Sequence, residues 1–438
     1  MIGKATATMD GSLLRGRTVF LSTYPPQRCG IATFTQHLVE TMAGLSVEPP
    51  AVVAVSDGVD ARLYPDEVVA VLDREDRPAY RETARMLNRS GAGAVVVEHE
   101  YGIFGGTDGS DLLELTDALE IPWVVTLHTV LRHPTARQRA IIRRLAERAR
   151  RVVVLAQRAQ EILVDVYRLD PSRLVHIPHG APDGVPVSRH ELRRRLGLEG
   201  ATVLCTLGLI NPGKGIEYVI DALPILVQEF PDLLYLVLGQ THPGILRQSG
   251  ESYREMLKLR ARQLGVEEHV RFVDTYLDDQ SLVEYLVASD IYITPYLSPE
   301  QISSGTLAYA VGLGKAVIST PYAYAQELLA DGRGLLVPFR DAEAIAEAVR
   351  AVLGSPRLRR GMERRARLVG RSMAWPRVAE EYLGLLEEVK EPGSRRGRRG
   401  GPVVTLAGSR AVVLGAKGGI ARREAAASHA GPSLADDR

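Results

Sequence analysis

The fold is decided by residues 18–45, which read TVFLSTYPPQRCGIATFTQHLVETMAGL. An apolar run, Thr18–Ser22, is followed by a loop with two prolines and one glycine, and then by a helical stretch over Ile31–Ala43. A buried strand, a glycine-containing loop and a helix in this order form the first half of a β-α-β unit. The sequence therefore predicts a parallel sheet with helices on its faces.

The same alternation continues through the first half of the chain. Nearly continuous Val, Ile and Leu runs predict strands at Ala51–Val55, Ala94–Val97, Trp123–Leu127, Val152–Leu155 and Leu174–Ile177. Helical stretches between them cover Asp111–Leu119, Ala136–Arg150 and Gln157–Tyr167. Because parallel strands are covered on both faces, they read as continuous rather than alternating apolar runs. The pattern predicts a doubly wound sheet with right-handed crossovers.

A segment rich in proline and glycine, Pro178–Ser188, interrupts this pattern and is predicted to be an interdomain linker. A second series of buried strands follows it: Thr202–Leu207, Leu233–Leu238, His269–Val273, Asp290–Thr294, Ala316–Ser319 and Gly334–Val337. We predict an α/β protein with two Rossmann-like domains that face a cleft, where ligands usually bind. The predicted division is an extension over 1–16, domains over 17–182 and 183–372, a last helix over 373–390 and a mostly disordered basic tail over 391–438.

Composition restricts the possible functions. The formal net charge of +1 gives no indication of nucleic-acid binding, and the two cysteines, Cys29 and Cys205, fit a reducing cytosol. No run approaches the roughly 20 apolar residues that cross a bilayer. We expect a cytoplasmic protein whose membrane contact, if any, is peripheral at the inner face. The arginine-rich helix at 136–151 could serve such contact, although a solvated basic face is the simpler interpretation. The oligomeric state cannot be read.

Polar residues follow the predicted strands of the first domain at the edge where doubly wound sheets bind ligands. Gly30 opens a helix and could admit a phosphate or a sugar hydroxyl, or it could form an ordinary turn. His99, Glu100, His128 and His179 each follow a strand, and His128 is the favoured contact for a sugar. These histidines lack a familiar metal-ligand spacing, so separate roles are preferred to a metal site.

Two loops of the second domain have the character of anion sites. In residues 208–215, Lys214 stands between glycines at the start of a helix, where an ammonium and free N–H groups suit a diphosphate. This loop lacks the spacing of a nucleoside-triphosphate loop. Residues 303–306, Ser-Ser-Gly-Thr, form a cap-like cradle before another helix. Glu327 is either a ribose acceptor or an ordinary helix carboxylate.

Several segments together resemble the retaining glycosyltransferases of family 4, which have the GT-B fold, over roughly residues 17–390. The chain is most similar to a mannosyltransferase-like branch with a YPPxxCGIATFT opening and an SGTLAYA segment. The segments are Gly30-Ile-Ala-Thr33, Leu127-His-Thr129, Ile177-Pro-His-Gly180, Gly213-Lys-Gly-Ile216, Ser304-Gly-Thr-Leu-Ala-Tyr309, Gly314-Lys-Ala-Val317 and Glu327-Leu-Leu-Ala-Asp-Gly332.

The resemblance implies a retaining, metal-independent transfer of a sugar from a nucleotide diphosphate donor to a glycan or lipid-linked acceptor. It implies no cofactor besides that donor, with GDP-mannose favoured over UDP-glucose, and a last helix that crosses back to the first domain. The expected catalytic residues are His128, Lys214, Glu300 and Gln301. The expected donor contacts are Gly30, Gly213, Ser304, Gly305, Thr306, Leu307, Tyr309 and Glu327, and the expected acceptor or sugar contacts are His99, Glu100 and His179.

The chain departs from the family pattern at three positions. The family's Glu-x7-Glu pair is replaced here by Gln301 and Tyr309, and Leu209 occupies the position of its diphosphate-binding arginine. Leu209 and Gln301 favour one alternative, a non-catalytic subunit or sensor that binds a nucleotide sugar. A nucleotide-sugar epimerase on the same fold is a second alternative.

Overall fold

A computed structural model describes residues 14–391 of the chain. Most of the predicted extension at 1–16 and nearly all of the predicted tail at 391–438 lie outside the described residues. In the part that is described, no helix is both long enough and apolar enough to cross a membrane.

Thirteen parallel strands form two sheets within the described chain. The first sheet has the order β3-β2-β1-β4-β5-β6-β7, and the second has the order β10-β9-β8-β11-β12-β13. The strands are β1 Thr18–Ser22, β2 Ala51–Ser56, β3 Val68–Asp73, β4 Ala94–His99, β5 Trp123–Leu127, β6 Arg151–Val154, β7 Leu174–His176, β8 Thr202–Leu207, β9 Leu233–Leu238, β10 Val270–Val273, β11 Ile291–Thr294, β12 Ala316–Ser319 and β13 Leu335–Leu336.

Helices cover both faces of each sheet. They are α1 Gly30–Leu45, α2 Arg77–Arg89, α3 Leu112–Ala118, α4 Ala136–Arg148, α5 Gln157–Asp165, α6 Arg189–Arg195, α7 Ile216–Glu229, α8 Pro243–Ser249, α9 Ser252–Gln263, α10 Asp279–Ala288, α11 Gly305–Gly312, α12 Ala323–Leu328, α13 Ala342–Gly354, α14 Pro356–Gly370 and α15 Trp375–Lys390. The structure thus confirms the predicted class: two doubly wound Rossmann-like domains and a last helix that returns to the first domain.

Local sequence explains the strand–helix boundaries that position the site. The Cys29 Sγ caps α1 by accepting the N–H of Ala32, and Thr135 and Gln138 form a capping box at the start of α4. The central strands are buried on both faces, as their continuous apolar runs require.

Strand β3 and helix α2 were not predicted from the sequence. β3 is an edge strand and is mostly only half-buried, and α2 is rich in arginine. The apolar run at 68–72 within β3 meets the continuous-run criterion and was overlooked. The helix signal that follows it, an Asp76 N-cap and apolar residues at Tyr80, Ala84 and Leu87, was overlooked as well. In the structure β3 pairs with β2 at the edge of the sheet.

Helix α15 joins the two domains. It follows α14 of the second domain, packs on α1 of the first, and is preceded by a short parallel bridge between Ala181 and Ala374. Gly180 lies so close to the Trp375 ring that an added Cβ would be 2.1 Å from a ring carbon. The close approach of the Trp375 ring requires glycine at position 180, because a side chain there would push the indole out of the domain junction.

Prediction for the domain junction. Gly180→Ala should lower the free energy of unfolding by about 1–3 kcal/mol, because the new methyl group overpacks the junction against Trp375. The measurement is the thermal melting temperature. Gly44→Ala, near the end of α1 and with open space around its Cβ position, is the matched control and should melt no lower than the parent. Equal melting of the Gly180 variant and the parent would contradict this packing.

Candidate active site between the two domains

The carboxyl ends of the two sheets face each other. In each sheet the strand order reverses beside one central strand, β1 in the first and β8 in the second, and such reversal points form ligand crevices. The two edges touch directly, since the Ser303 hydroxyl donates to the backbone carbonyl of His128 at 2.8 Å. The predicted site residues therefore come from loops that meet at one junction.

Lys214 reaches the start of α11 through one tyrosine. Its Nζ donates to the Tyr296 hydroxyl at 2.7 Å, and that hydroxyl lies 3.0 Å from the Thr306 Oγ1. Burial alone would raise the pKa of Tyr296, but the Lys214 charge and the hydrogen bonds from Lys214 and Thr306 outweigh it and lower the pKa. The two loops with anion-site character are thus joined at the reversal point of the second sheet.

The start of α11 is built by its own hydroxyls. Ser304 caps the helix by accepting the N–H of Leu307 at 3.3 Å, and its hydroxyl also lies 3.3 Å from the Thr306 Oγ1. Leu307 is fully buried and its N–H is used by this cap, so the structure does not support the predicted donor contact at Leu307. Gly305 and Thr306 are the first two residues of the helix, where N–H groups have no partner within the helix.

Gly213 also differs from its predicted role. Its N–H donates to the Asn211 Oδ1 at 2.9 Å, and its carbonyl accepts the N–H of Leu297 at 2.9 Å. Both backbone groups therefore hold the turn before Lys214. In this conformation Gly213 shapes the loop, and its N–H is not available to a diphosphate.

His128 is held by a buried carboxyl group. Its Nε2 lies 2.8 Å from the Oε2 of Glu98, which is fully buried at the end of β4. Glu98 is contacted by Thr126, and Thr126 lies 3.0 Å from the Tyr382 hydroxyl of α15. With Nε2 directed at the Glu98 carboxyl group, Nδ1 is the ring nitrogen left for another partner. The crossover helix thus supports the residue favoured for sugar contact.

His179 is a neutral ring at neutral pH. Burial is the main cause that lowers its pKa to about 4. Its Nδ1 lies 2.7 Å from the Gly180 carbonyl and carries the proton, which leaves Nε2 as an acceptor. An added Cβ on Gly305 would lie 3.0 Å from that Nε2. His179 therefore lies at the start of α11, and the Phe34 ring packs edge-on against both His179 and His128 at 5.0 Å between ring centroids.

The other residues expected to contact an acceptor have different surroundings. His99 is fully buried, neither ring nitrogen has a hydrogen-bond partner among the described residues, and burial lowers its pKa to about 3. The structure does not support an acceptor contact at His99, because its ring does not reach the cleft surface. Glu100 accepts from the N–H of Tyr101 at 2.9 Å and from the Thr129 hydroxyl, which places it beside the loop after β5.

Glu300, Gln301 and Tyr309 lie at the junction with partners already in place. Glu300 is 3.5 Å from His133 of the first domain, and Gln301 donates from Nε2 to the Ser303 carbonyl at 3.0 Å. Tyr309 is buried, and its ring contacts the rings of His37 and His179. The amide at 301 therefore shapes the 300–304 loop.

Glu327 is hydrogen-bonded to the first domain rather than open to a ribose. Its two carboxylate oxygens accept the N–H groups of Gln157 and Arg158, both at 2.9 Å, and so cap α5 of the first domain. A carboxylate at a helix N-terminus is favoured by the exposed N–H groups and the helix dipole. The predicted ribose contact would require release of this cap, so Glu327 here is an interdomain contact. Gly30, by contrast, opens α1 with free space around its Cβ position.

Sequence reasoning missed the partner roles of Tyr296, Glu98 and Trp375. Glu98 and Trp375 stand in segments that the sequence does single out, a strand end and the last helix, but the contact of each of the three joins it to a residue distant in sequence. A signal existed only for Glu98, a charged residue inside a predicted buried strand end. Within residues 14–391, no group of three or more His, Cys, Asp or Glu is placed to hold a metal ion. Metal independence remains a prediction.

Comparison with known proteins agrees with this geometry. The sequence profile described as Glycosyltransferase Family 4 matches residues 29–183, and the profile described as Glycosyl transferases group 1 matches residues 188–369. Alr3699/HepE of Anabaena, solved with UDP and glucose, has a TM-score of 0.69 and 16% identity, covering 85% of this chain and 99% of that one. At this identity the likeness concerns the fold.

Two curated relatives have a higher sequence identity to this chain than HepE has. The phosphatidyl-myo-inositol mannosyltransferase of Mycolicibacterium smegmatis is 30% identical over 224 residues, covering 51% of this chain and 54% of that protein. The D-inositol 3-phosphate glycosyltransferase of Geodermatophilus obscurus is 28% identical over 389 residues, covering 83% of each. The match thus spans about half the length of the mannosyltransferase.

Two facing Rossmann-like domains joined by a returning last helix define the GT-B class of proteins. The two profiles match one domain each and together cover most of the described chain. The chain belongs to the family 4 glycosyltransferases.

Prediction for the buried Glu98–His128 pair. Glu98→Gln should lower turnover about 10- to 100-fold with donor affinity unchanged, because the ring loses the charged acceptor that holds its orientation. The measurement compares turnover with donor affinity by calorimetry. Glu82→Gln, an exposed change on α2, is the control and should behave as the parent. A purely structural role for Glu98 would instead lower both quantities together.

Prediction for the pH dependence of stability. His99 has a folded-state pKa of about 3 against about 6.5 when unfolded, so the unfolded chain binds a proton that the folded chain does not. The contribution of His99 to the free energy of unfolding is complete above about pH 6.5 and is lost progressively as the pH falls toward 3. His99→Leu should therefore flatten the decline in melting temperature between pH 7.5 and pH 5. His190→Gln, at an exposed position on α6, is the matched control, and a His99 variant whose curve runs parallel to that of the parent would refute the assignment.

Proposed function

We propose that the chain transfers a hexose, with retention of anomeric configuration, from a nucleotide diphosphate sugar to a glycan or lipid-linked acceptor. One observation carries the proposal: Lys214 and Thr306, from the two loops with anion-site character, meet at Tyr296 beside the reversal point of the second sheet. A lysine ammonium and the first N–H groups of a helix at one point suit a diphosphate better than a neutral ligand.

The leaving group is the diphosphate in this proposal. Lys214 and the N–H groups of Gly305 and Thr306 stabilise the charge that develops on it, and each such preorganised contact contributes a few kcal/mol, of order 3. His128 offers Nδ1 to a sugar hydroxyl, with its ring oriented by Glu98. No dedicated base is needed if the leaving phosphate accepts the proton of the acceptor hydroxyl.

Mannose is the favoured sugar and GDP-mannose the favoured donor, with UDP-glucose next. The name of the mannosyltransferase from Mycolicibacterium smegmatis supports mannose, and the names of both relatives support an inositol-containing acceptor. The solved complex of HepE with UDP and glucose supports UDP-glucose as the second candidate.

Prediction for the donor site. GDP-mannose should raise the melting temperature of the parent protein, because a ligand that binds only the folded state stabilises it. UDP-glucose and ADP-glucose are tested beside it. Lys214→Ala should bind the same donor at least about tenfold more weakly while remaining folded, since one charge-assisted contact is lost.

The matched control is Lys258→Ala, an exposed change on α9, which should bind as the parent does. Unchanged donor affinity in Lys214→Ala would refute the diphosphate site. Donor binding without transfer or hydrolysis, over a panel of inositol and glycan acceptors, would instead favour a nucleotide-sugar sensor. Conversion of the donor without an acceptor would favour an epimerase.

A further inference from the structure

The loops of the second domain carry little positive charge at the carboxyl edge of their sheet. Residues 208–215, 239–243, 274–278, 295–304 and 320–322 follow β8, β9, β10, β11 and β12, and Lys214 is the one lysine or arginine in these ranges of the sequence. The same ranges contain Asp274, Asp278 and Glu300. Arg254 of α9 also reaches this edge, with its Nη2 3.0 Å from the Gly239 carbonyl oxygen, but Glu251 and Asp274 pair with it. Lys214 therefore supplies one positive charge against the at least two negative charges of a nucleoside diphosphate.

A second cation reaches these loops from the first domain. Arg28 lies in the loop before α1, and its Nη1 is 3.2 Å from the Gln240 Oε1 across the cleft. Its guanidinium carbon lies 5.3 Å from the centroid of the Tyr276 ring. Within the described residues no carboxylate is paired with Arg28, and its side chain is exposed. A guanidinium held by a ring and an amide remains available to an anion.

Two glycines connect Arg28 to the neighbourhood of Lys214. Gln240 directly follows Gly239, and a Cβ on Gly239 would be 2.2 Å from the Gly208 carbonyl oxygen. A Cβ on Gly208 would lie 3.2 Å from the Lys214 Nζ. Both glycines have φ near +125°, with values of 126° and 124°, a conformation that other residues rarely adopt. The two glycines therefore pack backbone to backbone, and we call this pair the Gly208–Gly239 floor. Lys214 lies beside Gly208, and Gln240, the partner of Arg28, directly follows Gly239.

The first domain adds a second favourable feature beside Arg28. Gly30 begins the 16-residue helix α1, and its Cβ position has no neighbour within 4 Å. The positive end of a long helix therefore lies two residues from the guanidinium, in open space. Arg28 and the α1 start face the second domain together, because Thr33 of α1 lies 3.3 Å from the Tyr276 hydroxyl.

We propose that Arg28 of the first domain supplies, from across the cleft, the second positive charge that holds the donor diphosphate over the Gly208–Gly239 floor. This inference rests on the proposed function. A guanidinium on the opposite domain also makes diphosphate binding depend on approach of the two domains, since Lys214 and Arg28 belong to different sheets. Nucleotide binding and domain closure are thereby coupled through one ligand.

The test measures binding of GDP and UDP by calorimetry to the full chain, and binding of guanosine and uridine by ligand-observed NMR. Arg28→Gln should weaken diphosphate binding at least about tenfold and leave nucleoside binding unchanged. Arg28→Lys should retain part of the affinity, because it keeps the charge but not the planar fork. Arg85→Gln, at an exposed position on α2 with no carboxylate partner among the described residues, is the matched control and should bind as the parent does.

The outcomes separate the two proposals. Normal diphosphate binding in Arg28→Gln, with loss in Lys214→Ala, would overturn the role of Arg28 and leave the proposed function standing. Equal loss of nucleoside and diphosphate binding in Arg28→Gln would also overturn it, because the contact would then be to the base. A parent protein that binds neither diphosphate would sink the proposed function and this inference together.

Discussion

The hydrogen bond from the Lys214 ammonium to the Tyr296 hydroxyl, continued to Thr306, is the contact on which the candidate site depends. Tyr296 follows β11 and is almost fully buried, so it holds a cation at a fixed point above the sheet edge. The Lys214 Nζ lies 4.0 Å from the centroid of the same ring, which adds the attraction of a cation to an aromatic face. Without this anchor, a flexible lysine in a glycine-rich loop would have no preferred position.

Buried rings of the first domain pack against the second domain near this contact. Phe34, His128, His179 and Trp375 pack edge to edge, and Ser303 and Gly305 of the second domain touch the histidines. Two of these residues come from α1 and α15, which pack on each other. Helix α15 therefore also supports the site: a chain of hydrogen bonds runs from its Tyr382 through Thr126 and Glu98 to the imidazole of His128.

Contacts between the domains lie on both sides of this junction. On one side are Arg28 with Gln240, Thr33 with Tyr276, and His37 with Asp279. On the other, Glu327 caps α5 and Gln326 accepts from Arg158. These polar contacts use exposed or half-buried groups, which exchange readily with water and ligand, whereas the four rings between them are buried. This division suits a pair of domains that approach and separate around a packed centre.

The class of fold and the approximate region of the site can be predicted from the sequence. Continuous apolar runs followed by glycine-opened helices predict parallel strands whose carboxyl ends share one edge, so Lys214, Ser304–Thr306, His128 and His179 could be predicted on loops at the edges of the two sheets. Their common role in one site was implied by the resemblance to the family 4 glycosyltransferases. The tertiary structure alone decided the partners: Tyr296 for Lys214, Glu98 for His128, Asn211 for the N–H of Gly213, and α5 for Glu327. Most of these pairings join residues distant along the chain, and even the near pair at Asn211 depends on how the turn closes. Periodicity reports which face of an element is buried, but it carries no information on which distant hydrogen-bonding group meets that face.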